Sequence, residues 1–319
     1  DVMHQIPTQL FTDKSRTIIS TNDSPDVGME ATVNPYRGCE HGCIYCYARP
    51  GHEYLGLSAG LDFETKIFVK YDAPELLAKE LQAKSWEPKT IVFSGVTDCY
   101  QPVERDLKIT RQCLEVLHEF KNPVAIITKN QLVARDVDIL GEMAKYNAAH
   151  VSLSITSLDG HVARKMEPRA SQPRLKLQAI EKLAAAGVSV GVMIGPVVPG
   201  LTDHEIPAIL KAASEAGATS ANYTMLRLPY SVKDHFQTWL HEHFPDRAER
   251  VLSHVRDTRH GKLYESAFGD RMRGTGVYAD QVADMMALFK KRYGLDRRGR
   301  CLSTASFRRN SRDTQLSLF

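Results

Sequence analysis

Past the first sixty or so residues, the chain alternates between two rhythms of hydrophobic and polar positions. Short apolar, β-branched runs stand at residues 67–69, 90–93, 124–128, 150–155, 188–194 and 218–223. Between them lie amphipathic stretches at 74–84, 106–120, 132–146, 173–186 and 203–216, where apolar residues recur at helical spacing. Two of these stretches end in glycine just before the next run, at Ala186-Gly187-Val188 and Ala216-Gly217-Ala218, the expected helix stop. Strand and helix in regular alternation predict parallel βα units with buried strands, an α/β fold. Such units close into a barrel or open into a twisted sheet, and periodicity leaves both possible. After residue 229 the rhythm changes: 232–243, 246–255 and 278–293 read as helices around an aromatic and basic loop. The expected organisation is therefore an extension over 1–30, broken by Pro7, Pro25 and Gly28, and an α/β body over 31–230. A helical cap over 231–295 and a loose basic tail over 296–319 follow.

Composition narrows the class. The 319 residues are 43% hydrophobic and 25% charged, the profile of an ordinary globular protein. That length permits one large domain or two smaller ones. No apolar run approaches the roughly 18 residues of a membrane span, and nothing near the start reads as a signal peptide. Six cysteines, three of them in one short motif, argue for a reducing interior rather than a disulfide scaffold. A cytoplasmic protein without a membrane partner is expected. Net charge is only +3, but nine Lys or Arg residues fall between 290 and 312 against Asp296 alone. Such a run is a solvated end in most proteins, and also the footprint of a segment lying along phosphates.

The strongest chemical signal is Arg37-Gly38-Cys39-Glu40-His41-Gly42-Cys43-Ile44-Tyr45-Cys46. A [4Fe–4S] cluster takes four ligands, usually thiolates. Three thiols on one short loop hold three corners and leave one iron open to a ligand that is not protein. A zinc knuckle or a purely structural cluster is the alternative. Zinc sites close with a fourth Cys or His, and His41 is a residue that could serve. Polar residues also gather where a barrel would expose them, at the ends of the strand-like runs. Ser94 to Asp98, Thr128-Lys129-Asn130, the alternating Ser152, Ser154 and Thr156, Gly191 to Pro196, and Arg227 are the sets. Each has an ordinary explanation in turn and cap chemistry; their shared position favours a bound cofactor.

The cysteine loop, with an aromatic Tyr45 before its third thiol, resembles that of the radical S-adenosylmethionine (SAM) enzymes. The loop followed by Tyr47-Ala48-Arg49, the Thr97-Asp98 and Thr128-Lys129 pairs, Ser154 and Lys165-Met166-Glu167-Pro168-Arg169 resemble its spore photoproduct lyase branch, over roughly residues 31 to 225. The resemblance implies a partial (β/α)6 barrel with a C-terminal helical cap and flexible tail, the cluster loop following the first strand. It implies that Cys39, Cys43 and Cys46 hold a [4Fe–4S] cluster and that SAM binds the open iron beside Tyr45. Thr97 and Asp98 would hold SAM's amino end, Lys129 its carboxylate, and Ser154 its ribose or methionine portion. An external electron donor of flavodoxin or ferredoxin type is implied as well. The spore lyases keep a hydrogen-donating cysteine just before their Ser-Asp or Thr-Asp pair, where this chain has Gly95. Cys99 and Tyr100 are the replacement candidates, and thymine-dimer cleavage itself is not carried over.

The chain ends Gln315-Leu316-Ser317-Leu318-Phe319, which resembles at every position the pentapeptide by which bacterial polymerases and repair proteins dock on the replication sliding clamp. Large apolar groups on a polar tail are what a groove on a partner would capture. As a flexible coil, residues 301–314 would span roughly 20 Å. The expectation is a radical SAM enzyme acting on a DNA lesion or modified base while tethered to the clamp. Arg227, Arg271, Arg273 and the basic tail are the candidates for phosphate contacts. Modification of RNA or protein, and a non-catalytic DNA-binding adaptor with a structural cluster, are the rival functions.

Overall fold

The computed structural model describes residues 7–296 and 301–309. Among them ten strands form two sheets: β1 (Gln9–Thr12), β2 (Ile19–Thr21), β3 (Ala31–Val33), β4 (Tyr36–Arg37), β5 (Lys66–Val69), β6 (Ile91–Phe93), β7 (Val124–Thr128), β8 (Ala149–Ser154), β9 (Ser189–Val197) and β10 (Ser220–Met225). Strands β3, β6, β7, β8, β9 and β10 lie side by side in sequence order, all parallel. Strand β2 adds antiparallel to β3. The two edges, β2 and β10, do not pair, so six βα units make a barrel that stays open on one side.

One correction concerns the first unit. The run at 67–69, read above as the first strand of the series, is β5 and belongs to a separate sheet with β1 and β4. The barrel begins instead at β3, only three residues long. A run that short has no periodicity to detect, and pairing with β6 and β2 is what makes it a strand. The cysteine loop leaves the C-terminal end of this strand, where barrel enzymes place their chemistry.

Helices wrap the outside. Ile109–Phe120 shows why: Ile109, Cys113, Leu114, Leu117 and Phe120 are buried at three- and four-residue spacing, and Lys121 ends the helix in the left-handed region. Gly187 and Gly217 take positive φ, 80° and 101°, after their helices, as the sequence pattern requires. The core fills the space between the sheet and these helices.

The C-terminal helices divide. Val232–His243 and Pro245–Asp257 build a second hydrophobic cluster in which Phe236, Trp239 and Leu240 meet Cys43, Tyr45 and Met166. They cap the cysteine loop. The third helix, Val277–Arg292, touches them where Tyr278 stacks on His254, centroids 4.5 Å apart, but its buried face lies elsewhere. It packs on Ile206–Glu215 and sends Val282 and Met286 into the main core, acting as the sixth outer helix.

The tail also departs from expectation. Residues 301–309 are not a loose coil but are docked across three turns at the N-terminal ends of the strands. Ser303 N–H donates to Asn147 O at 2.8 Å, and Arg308 N–H to Phe120 O at 2.9 Å. An Arg309 guanidinium nitrogen reaches Trp86 O at 2.8 Å, and Phe307 stacks on Phe120 with centroids 6.5 Å apart. This strap lies on the face opposite the cysteine loop. Residues 315–319, which carry the clamp-like motif, fall outside the described residues. No helix among the described residues is long and apolar enough to cross a membrane.

Candidate active site

The cysteine loop is shaped from both sides by arginines, Arg49 buried and Arg169 half-buried. Arg49, 2% exposed, donates from Nε to Cys43 O at 2.9 Å and from Nη2 to Gly42 O at 3.0 Å, and pairs with Glu64 at 2.5 Å. Arg169 reaches Glu64 at 2.7 Å from the other direction and donates to Glu40 O. The turn between the two arginines needs glycine: Gly42 has φ +66°, and a Cβ there would lie 2.6 Å from Glu64 Oε2.

Cys39, Cys43 and Cys46 are free thiols, the first two buried and the third partly so. Burial pushes all three up, Cys43 to about 12. Thiolates in such a place need a cationic metal to offset their desolvation. Among the described residues no three His, Cys, Asp or Glu side chains converge closely enough to hold a single metal ion. A cubane asks for a different arrangement, one thiolate at each of several corners. His41, the side chain a zinc site would recruit, is turned elsewhere. Its Nε2 lies 3.3 Å from Asn130 Nδ2 and its Nδ1 3.4 Å from Asp98 Oδ2. Three thiols without a fourth ligand fit a [4Fe–4S] cluster with one open iron.

Beside the loop, the structure joins three of the expected cofactor residues through one that the sequence reading left without a role. Glu167, 2% exposed, accepts hydrogen bonds from the Tyr45 hydroxyl, from Thr156 Oγ1 at 2.6 Å and from Lys176 Nζ at 2.7 Å. Lys129 Nζ stands 3.3 Å from Glu167, donates to Ser154 Oγ at 3.0 Å and to Gly195 O at 2.9 Å, and lies over the Tyr45 ring. Burial alone would raise the Glu167 carboxyl; Lys129 and Lys176 outweigh it and hold the carboxyl far below its usual range. Two ammonium groups share the Glu167 carboxylate, and Asp98 is a second acid whose charge reaches Lys129. Lys129 is the ammonium at the strand ends that would meet an anion such as the carboxylate of SAM.

Thr97 and Asp98 are placed differently from the expectation. Thr97 Oγ1 donates to Tyr36 O at 2.7 Å, and Asp98 accepts from Thr128 Oγ1, from Lys129 N–H (both 2.8 Å) and from Tyr100 N–H at 2.9 Å. Burial would raise Asp98, but His41 and these N–H groups hold it below its ordinary value. Thr97 thus ties the loop after β6 to β4, while Asp98 ties it to the end of β7 and holds the Lys129 backbone in place. Cys99 and Tyr100 are corrected more strongly. Both are fully buried in the main core, and the Tyr100 hydroxyl donates to Asp136 at 2.9 Å. Adjacency in sequence to Asp98 did not expose them at the strand ends: the Cys99 side chain packs in the core and Tyr100 joins the Asp136 network.

Of the arginines offered for phosphates, Arg271 is engaged by Asp26 and by Ser24 Oγ at 2.6 Å. Arg273 is engaged by Tyr223 O at 2.8 Å and Asn222 Oδ1 at 2.7 Å. The residues that sequence reasoning missed, Glu167 and Lys176, had a faint signal: Glu167 stands in the stretch 165–169 that resembles the spore lyases. Lys176 gave none, being one lysine in an amphipathic helix.

Comparisons with known proteins agree with this arrangement. The family profile described as the Radical SAM superfamily matches residues 33–213. An uncharacterized protein of Mycobacterium tuberculosis is 35% identical over 262 residues, 81% of this chain and 74% of that protein. A radical SAM Nalpha-GlyT isomerase of Pseudomonas phage M6 is 26% identical over 222 residues, 68% of this chain and 44% of that one. Among solved structures, spore photoproduct lyase complexed with dinucleoside spore photoproduct matches 89% of this chain and 79% of its own, with a TM-score of 0.61 at 17% identity. A variant of that lyase with bound AdoMet and dinucleoside spore photoproduct matches with a TM-score of 0.60 at 16% identity, over 89% of this chain and 78% of its own. At such identities the likeness speaks for the fold. The chain belongs to the radical SAM superfamily, whose cofactors are a [4Fe–4S] cluster and SAM.

Proposed function

We propose that this chain is a DNA-directed radical SAM enzyme that acts on a damaged or modified nucleotide while docked on the replication sliding clamp. The observation that carries the enzymatic part is the three-thiol loop facing the Tyr45–Glu167–Lys129–Ser154 group. Cys39, Cys43 and Cys46 would hold the cluster, which would supply the electron for reductive cleavage of the sulfonium bond of SAM. Lys129, held by Glu167, Ser154 and Gly195, meets the SAM carboxylate. Tyr45 lines the cofactor, and the cap over 232–257 keeps water from the loop. A target base in duplex would have to leave the stack to reach the site.

Support for DNA comes from the dinucleoside ligand named for the lyase whose fold this chain shares, and from the clamp-like pentapeptide at residues 315–319. The docked strap changes the tether. Only residues 310–314 separate it from the pentapeptide, a reach of at most about 22 Å when fully extended. The clamp would then stand at the barrel base, with the mouth of the site on the far side.

Anaerobic incubation of the reconstituted enzyme with pools of damaged, deuterated DNA tests the reading. The expected result is deuterium in 5′-deoxyadenosine and a matching mass change in one nucleotide. SAM cleavage that no DNA pool accelerates, with no label transfer, would count against a DNA substrate. Removing residues 315–319 is expected to abolish co-elution with the sliding clamp while leaving SAM cleavage unchanged. A truncated protein that still co-elutes overturns the docking assignment.

A further inference from the structure

Two arginines at the end of β10 stand without a paired acid, although Asp270 and Glu265 act on Arg259 from beyond ion-pair distance. Arg259 is 1% exposed; its Nη1 donates to Asp270 O at 2.7 Å and its Nη2 to Leu226 O at 2.8 Å. Its Nε, buried, has no partner. Arg227 directs Nη1 to Met272 Sδ at 3.3 Å, and its Nε is likewise buried and unpartnered. Among the described residues neither forms an ion pair. Asp26, an acid that feels the charge of Arg227, is committed to Arg271 and to Gly269 N–H at 2.7 Å. The two guanidinium groups act on each other: burial and the charge of Arg227 push Arg259 down to about 10. Burial and Arg227 outweigh the pull of Asp270 and Glu265 on Arg259, and like charges in a partly dry site without a paired counter-ion are costly unless something else supplies the anion.

Their location gives that anion a context. The Arg227 guanidinium lies over the Tyr47 ring, 5.6 Å from its centroid. Tyr47 directly follows Cys46, is 46% exposed, and its hydroxyl donates to Gly95 O at 2.8 Å beyond the end of β6. An open aromatic face and an unpaired guanidinium therefore sit together at the mouth, beside the cysteine loop. We infer that Arg227, backed by Arg259, is an anion subsite that takes a phosphodiester of the substrate strand, with Tyr47 as the aromatic surface next to it. Stacking on an aromatic side chain beside a backbone-binding cation is the usual way to hold a single strand without reading its sequence. The inference rests on the DNA reading above and names the residue that would position the strand.

Fluorescence anisotropy of a labelled oligothymidylate, titrated over a series of salt concentrations, tests it with the reconstituted full chain. Arg227→Gln is expected to weaken binding about tenfold and to lower the salt slope by about 0.7, the share of one single-strand phosphate. Arg227→Lys should keep the slope, since the charge remains. Cluster absorbance equal to that of the unaltered protein shows that each variant is folded, and a merely structural role would not move the salt slope. Competition with thymidine monophosphate separates the two sources of phosphate. If the monophosphate binds through Arg227 and the oligonucleotide does not bind, the strand assignment is overturned. Oligonucleotide binding within twofold of the unaltered protein, with the same slope, overturns the Arg227 subsite and leaves the DNA reading standing. No binding of either probe overturns both.

Discussion

Cys43→Ser is expected to yield a protein that keeps its sheet but holds no intact cluster and cleaves no SAM above background. In the proposed assignment the thiol is one of three ligands, so its loss would leave the cluster on two points. A serine hydroxyl is a harder donor that gives up its proton far less readily than a thiol, so it does not replace a thiolate on iron. Iron and sulfide content per chain, with the cluster's visible absorbance, checks this. Cys301→Ser is the control, because Cys301 is exposed on the strap at the opposite face and should keep full content. A Cys43→Ser protein with a complete and active cluster would overturn the ligand assignment.

Glu167→Gln is expected to lower stability by about 3–5 kcal/mol, the usual result of leaving a buried ion without its partner. Lys176, 1% exposed, has its charge matched by Glu167 at 2.7 Å. An amide cannot neutralise it, and Lys129 loses the same counter-charge. Denaturant unfolding measures the loss, and weaker SAM binding by calorimetry should accompany it because Lys129 and Tyr45 both lean on this carboxylate. The acid limb of stability carries a second signature. The folded protein holds the Glu167 carboxyl below its unfolded value. Its stabilisation is therefore complete above an ordinary glutamate pKa of about 4.3 and is lost as pH falls further. The Glu167→Gln protein should lack that component of acid destabilisation. Equal acid sensitivity in the two proteins would show that Glu167 is not ionised in the folded state.

Local signals carried well from sequence to structure. The amphipathic stretches became outer helices in nearly the predicted places, because burial of one face is written in every third or fourth residue. The strand runs at 124–128 and 150–155 correspond to β7 and β8. The errors came where the deciding partner is distant. Strand β3 is invisible without β2 and β6. The helix Val277–Arg292 looked like part of a cap because it follows two cap helices, yet the exposed flank of Ile206–Glu215 claimed it. Cys99 looked close to the site because it adjoins Asp98, and the turn of one residue sent its side chain into the core.

Sequence alone determined that three thiols share one short loop, since cysteines within eight consecutive residues stay together whatever the rest of the chain does. It also determined the alternation of strands and helices, which depends only on spacing along a short window. Tertiary structure decided which polar groups serve the loop. Glu167 meets Tyr45 across 122 residues of chain, and Arg169 braces Glu64 across 105. It also decided that the strap folds back on the barrel base and that Arg227 and Arg259 share a place where neither forms an ion pair. The physical reason is that buried charge is settled by whatever group lies within a few ångströms, and only the folded chain says which group that is.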